Sequence, residues 1–141
     1  MSKSILLVDD SPTLRRLTRN HLKAHNLEVC GEASDGIDAV EKALKLFPDL
    51  IVMDLSMPRR NGLEAARELK EKMPRVPIIL FTGYQNDVLV SDTIEAGISA
   101  VISKLEPQEL LPQVLSLLGQ RSRTVSATVL PFHKIVDKWL D

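Results

Sequence analysis

The sequence predicts an α/β fold, an open, doubly wound parallel sheet with helices on both faces. Three observations carry that reading. Apolar runs of strand length recur at a regular interval, each is followed by a segment of helical periodicity, and the runs are nearly uniformly apolar, as strands buried on both faces are. Parallel neighbours are joined by right-handed crossovers, and ligands of such sheets sit outside the carboxyl ends of the strands.

The first run, Ser4 to Val8, leads to Ser11-Pro12, a helix cap with proline in the first helical position. Leu14, Leu17 and Leu22 follow among basic residues, so a first helix is expected to end near Asn26. After a second run, Leu27 to Cys30, the segment Gly36 to Phe47 puts Ile37, Val40, Ala43, Leu44 and Phe47 on one stripe. Asp38, Glu41, Lys42 and Lys45 face water there, and Pro48 stops the helix. The third run, Leu50 to Met53, precedes a helix over Gly62 to Met73 with Ala66, Leu69 and Met73 inward, closed by Pro74. A weaker helix, Asn86 to Ala96 with Gly97 as its stop, follows the fourth run, Pro77 to Phe81. The fifth run is Ala100 to Ile102, and the last helix starts at Pro107 and carries Leu110, Leu111, Val114, Leu115 and Leu118. Pro112 inside it predicts a kink or a late effective start.

The 141 residues suit one core, and 44% apolar with 26% charged residues excludes a disordered, collagenous or disulfide-built chain. Eighteen Lys and Arg against 19 acids give a net charge of -1, no basic field for nucleic acid. Cys30 has no partner for a bridge, no signal peptide opens the chain, and no apolar run approaches membrane-spanning length, so the expected setting is cytoplasmic, without direct nucleic-acid or membrane binding.

The strand ends carry the chemistry. Asp9-Asp10 ends the first strand, Asp54 the third and Thr82 the fourth, and Lys104 follows the fifth. Taken singly, these are turn acids, an ordinary β-branched strand end and a loop lysine. Taken together, three converging carboxylates repel unless a cation lies among them, and hard oxygen ligands of this number suit Mg²⁺. A carboxylate is also a nucleophile toward phosphorus, and Asp54 at the centre of the sheet is best placed for that role, with Lys104 and the Thr82 hydroxyl available to phosphoryl oxygens.

Over residues 4 to 118, these positions, with the run Asp54-Leu55-Ser56-Met57-Pro58-Arg59-Arg60-Asn61-Gly62 and Thr82-Gly83, resemble the receiver domain of two-component response regulators, of the single-domain type. The resemblance implies a flavodoxin-like, CheY-like sheet in the order 2-1-3-4-5. It implies Asp54 as the phosphoacceptor from a histidine kinase or histidine phosphotransfer protein, with Thr82 and Lys104 contacting the phosphoryl group. Mg²⁺ would be held by Asp10, Asp54 and the backbone carbonyl of Ser56, with Asp9 acting through water. Two positions depart from the family pattern: Val101 stands where an aromatic switch residue is usual, and Leu105 replaces the proline after the lysine. Tyr84 is the aromatic nearest the rim.

Residues 1–118 are thus expected to form the receiver and 119–141 a linker and tail. Gly119 to Ser126 reads as linker, Thr128 to Pro131 as extended, and from Phe132 the residues Ile135, Val136, Trp139 and Leu140 recur at helical spacing. Arg121, Arg123, Lys134 and Lys138 against Asp137 and Asp141 give the tail +2, while 14 bases and 17 acids leave the rest at -3. The expected output is protein–protein interaction or phosphorelay, rather than catalysis on another substrate, with Val101, Tyr84 and Trp139 as candidate output residues. Homodimerisation would use the face of helix four, strand five and helix five, or the tail. The second reading is a phosphorylation-independent interaction or dimerisation module that keeps the fold.

Overall fold

The computed structural model describes residues 3–83 and 88–120. Five parallel strands form one sheet in the order β2-β1-β3-β4-β5: β1 Ser4–Val8, β2 Glu28–Ala33, β3 Leu50–Met53, β4 Ile78–Thr82 and β5 Ala100–Ser103. The helices are α1 Pro12–Lys23, α2 Gly36–Leu46, α3 Gly62–Lys72, α4 Val90–Glu95 and α5 Leu110–Gln120. α3 packs between α2 and α4, while Leu14 and Leu17 of α1 share a groove with Leu110 of α5. Every side chain of β3 is buried, and burying each contributes about 1.5–3 kcal/mol. Among the described residues, no helix is long and apolar enough to cross a membrane.

Three expectations need correction, in β2, α2 and α4, while the late effective start of the last helix is as expected. β2 runs to Ala33 rather than Cys30, and most of it is half-buried, because it is an edge strand paired only with β1. Its Glu32 is bonded by Arg15 and Arg19 of α1, which blunts that edge with charge. The inward stripe of α2 is Ala39, Val40 and Ala43, whereas Ile37, Leu44 and Phe47 reach the surface. Phe47 caps the helix in the left-handed region (φ 50°), since the residue before Pro48 is barred from continuing it, and its ring is thrown outward. α4 begins only at Val90, with no side-chain cap from Leu89. Asn86, the expected start, lies outside the described residues, as do Tyr84 and the whole segment 121–141 with Trp139. The last helix opens with a 3₁₀ turn, Pro107–Glu109, before α5, so Pro112 falls in the first α-helical turn, where its missing N–H leaves no bond unmade.

Three helices start on side-chain caps: Ser11 for α1, Asp35 for α2, and an Asn61–Glu64 capping box for α3. The Asp35 carboxyl is held below the usual carboxylate range, first by the Asp38 N–H and then by Arg59. Its contribution to stability is therefore complete above the ordinary aspartate value and is lost as the pH falls below about 4. Thermal melts of Asp35→Asn should accordingly lose less stability between pH 5 and pH 3 than those of the parent.

Candidate functional site

The parallel register brings the polar strand ends to one rim. Val8 and Met53 are register partners, so the chain leaves β1 at Asp9 and β3 at Asp54 side by side, and the Asp54 N–H donates to the Val8 carbonyl at 2.9 Å. Thr82 and Ser103 are partners in the same way, and the Lys104 N–H donates to the Thr82 carbonyl at 2.9 Å. Lys104 then reaches back across the strand ends: its Nζ lies 2.6 Å from Asp9 Oδ2 and 3.2 Å from Asp54 Oδ2. Asp9 is fixed from two further directions, its Oδ1 accepting from the Ser11 N–H at 2.9 Å and its carbonyl from Arg15 Nη1 at 2.6 Å.

Asp9, Asp54 and Thr82 are buried, whereas Asp10 and Ser56 are exposed. Asp9, Asp10 and Asp54 each offer a carboxylate oxygen, and the three oxygens lie within 4.8 Å of one another. Burial pushes the Asp54 carboxyl above the usual range; the Lys104 charge draws it down and the Asp9 charge pushes it up again. Burial also disfavours the Lys104 ammonium, but its bonds and charge contacts with Asp9 and Asp54 outweigh that, and Lys104 holds its proton above the ordinary lysine range. Three carboxylates against one ammonium leave the cluster acidic. Asp54 Oδ1 is buried and accepts no hydrogen bond. An orphaned acceptor among hard oxygen donors is what a divalent cation satisfies, so Asp9, Asp10 and Asp54 are fit to hold Mg²⁺.

The sheet thus brings Asp9, Asp10, Asp54, Thr82 and Lys104 together, with Ser56 in the loop two residues beyond Asp54. Val101, three residues before Lys104, is wholly buried opposite Leu80. The Lys104–Leu105 peptide is trans, and the Leu105 side chain is exposed.

Sequence reasoning missed the residues that shape the Asp54–Gly62 loop. The Gly62 N–H closes the loop on the Leu55 carbonyl at 2.8 Å, and a Cβ at Gly62 would meet the Asp54 carbonyl oxygen at 2.2 Å. The Gly36 N–H bonds the Arg60 carbonyl at 3.0 Å, again where a Cβ has no room. Arg59, with φ at 66°, bonds Asp35, and Arg60 bonds Glu68. The Asp35-Gly36 start of α2 is a legible cap signal, whereas the left-handed Arg59 has no signature in composition or periodicity.

Comparison with known proteins bears on the family and the fold. A family model described as the response regulator receiver domain matches residues 5–116. The chain is 36% identical over 104 residues to the chemotaxis protein CheY of Thermotoga maritima, covering 74% of this chain and 87% of that protein. It is 42% identical over 102 residues, 71% of this chain, to a protein-glutamate methylesterase/protein-glutamine glutaminase of Myxococcus xanthus, of which the match spans only 29%. The crystal structure of the response regulator domain of T. maritima CheB superposes with a TM-score of 0.73 at 28% identity, covering 86% of this chain and 96% of that one.

Proposed function

As a member of the response regulator receiver family, this chain carries, we propose, a phosphorylation-switched module in which Asp54 accepts a phosphoryl group from phosphohistidine on a histidine kinase or phosphotransfer protein. The observation that carries the reading is the Asp54 carboxylate itself: buried, with one oxygen unbonded and the other 3.2 Å from the Lys104 ammonium. In the transfer, an Asp54 oxygen forms a bond to phosphorus as the phosphorus–nitrogen bond of the donor breaks, and the imidazole leaves with its electron pair and takes up a proton. Water later cleaves the acyl phosphate, restoring the carboxylate and releasing inorganic phosphate. Asp9, Asp10, Asp54 and the Ser56 carbonyl would hold Mg²⁺, which neutralises charge on the phosphoryl oxygens. Lys104 supplies a fixed positive charge to the same oxygens and Thr82 a hydroxyl, and the buried walls of the site limit competing water.

The domain acts only on its own carboxylate, and its output passes through contact with another protein or onward phosphorelay. The switch extends to the end of α5 at Gln120, two residues past the expected boundary, and 121–141 serve as linker and tail. A groove of about 390 Å³ beside Lys104, lined by Leu14, Leu17 and Leu110, with the exposed base Arg16 on the same helix, supports docking of the phosphodonor protein there. With Val101 buried, no aromatic side chain at that position relays the event.

Lys104→Met separates the two roles of the ammonium. Removing a cation from the acid cluster should tighten Mg²⁺ binding by roughly three- to tenfold at low salt, because like charge is relieved. Phosphoryl uptake from acetyl phosphate should slow by about ten- to a hundredfold, because a fixed charge on the transferring group is lost. Calorimetric Mg²⁺ titration and intact-mass time courses read the two effects. Unchanged uptake would remove Lys104 from the transfer.

A further inference from the structure

We propose that Asp35 and Arg59 are positioning residues for the metal-holding loop: their ion pair, made at the turn between β2 and α2, sets the shape of the Asp54–Asn61 segment and so the affinity of the acid cluster for Mg²⁺. The inference rests on the reading of that cluster given above. Neither residue belongs to it.

The two oxygens of Asp35 do different work. Oδ1 accepts from the Asp38 N–H at 2.8 Å and caps α2, while Oδ2 accepts from Arg59 Nε at 3.0 Å and Nη2 at 2.8 Å. Asp35 is buried, so its position is fixed, and the pair ties the loop to a helix start rather than to a mobile surface group. Next to it, the Gly36 N–H bonds the Arg60 carbonyl at 3.0 Å, which makes a second attachment between the same two segments. The opposite side of this turn touches the other half of the cluster, since the Ala33 carbonyl accepts from the Asp9 N–H at 3.0 Å. One short stretch, Ala33 to Gly36, therefore bridges the strand end that carries Asp9 and Asp10 and the loop that carries Asp54 and Ser56.

Arg59 occupies the left-handed region at φ 66°, where glycine would sit without strain. An arginine held there is justified by what its side chain does, and its guanidinium bonds Asp35. Loop geometry matters to the ion because Mg²⁺ demands close to ideal octahedral placement of its ligands.

The test uses the full chain and MgCl₂ alone, followed by titration calorimetry, with thermal melts in EDTA alongside. Asp35→Asn keeps the capping oxygen and replaces the Arg59 acceptor by an amide donor. Arg59→Gly removes the guanidinium and relaxes the backbone, so its melting temperature should not fall. Both should raise the Mg²⁺ Kd by roughly three- to tenfold, less than the ten- to hundredfold typical of a group bonded directly to a ligand side chain. The double variant should bind no worse than the weaker single one, because both remove one interaction. If the parent binds Mg²⁺ and both variants match it within about twofold, the pair is only a helix cap and the proposal falls while the reading of the site stands. If the parent itself takes up no Mg²⁺, both fall.

Discussion

Asp54→Asn should take up no phosphoryl group from acetyl phosphate and Mg²⁺ under conditions in which the parent gains one, as read by intact-mass spectrometry. The amide offers no carboxylate oxygen to attack phosphorus, and among the described residues no other buried carboxylate at the rim has an unbonded oxygen: Asp9 already bonds Lys104 through Oδ2 and the Ser11 N–H through Oδ1. The same substitution should stabilise the metal-free protein at neutral pH. Burial raises the Asp54 carboxyl's hold on its proton, so the folded state prefers the neutral acid. That preference contributes stability at acid pH and loses it as the pH rises through the folded-state value, and an uncharged amide escapes the loss. The gain should be on the order of 1 kcal/mol, or about 4 °C in melting temperature. Mg²⁺ should raise the melting temperature of the parent more than that of the variant, since a ligand stabilises by its affinity for the folded state. Uptake by the variant equal to the parent's would move the phosphoacceptor elsewhere.

Gly62→Ala should cost about 3 kcal/mol or more, the largest stability loss expected from adding a single methyl group at this end of the sheet. The new Cβ would stand 2.2 Å from the Asp54 carbonyl oxygen and 3.1 Å from Leu55 Cα, and both neighbours are backbone, which has no rotamer with which to yield. Relief requires α3 to move away from the end of β3, breaking the 2.8 Å bond between the Gly62 N–H and the Leu55 carbonyl. Because that bond closes the loop bearing Ser56, Mg²⁺ affinity should fall together with stability. Gly83→Ala makes the control: nothing lies within 4 Å of its added Cβ, and its melting temperature should stay within about 2 °C of the parent. Chemical denaturation of both variants checks the pair, and equal stabilities would show that the loop is softer than its contacts imply.

The sheet was legible because its central strands are uniformly apolar runs, and burial on both faces writes itself into sequence without ambiguity. β2 was read short because an edge strand keeps polar residues such as Glu28 and Glu32, so its signal fades where hydrogen bonding continues. The α2 stripe misled because periodicity marks one side of a helix without saying how wide a face is covered. Ala39 lies inside and Phe47 outside, and that choice was made by close packing on α3 and by the turn before Pro48. The acids, Thr82 and Lys104 could be named in advance because each ends a strand, and in a parallel sheet strand ends share a rim. Asp35, Gly36 and Arg59 could not, since their importance lies in contacts between two loops distant in sequence and in one backbone angle.

The reach of Lys104 back to Asp9 spans 95 residues of chain. A contact of that separation forms late in folding, because the intervening strands must first assemble before its loop-closure entropy is recovered. Until β5 joins the sheet edge, Asp9 and Asp54 face each other without their ammonium. A partly folded chain, or one whose translation has not yet passed strand five, therefore carries the Asp54 carboxylate in an electrostatic setting unlike the finished one. Any chemistry that needs the Lys104 charge beside Asp54 is therefore unavailable until β5 is in place.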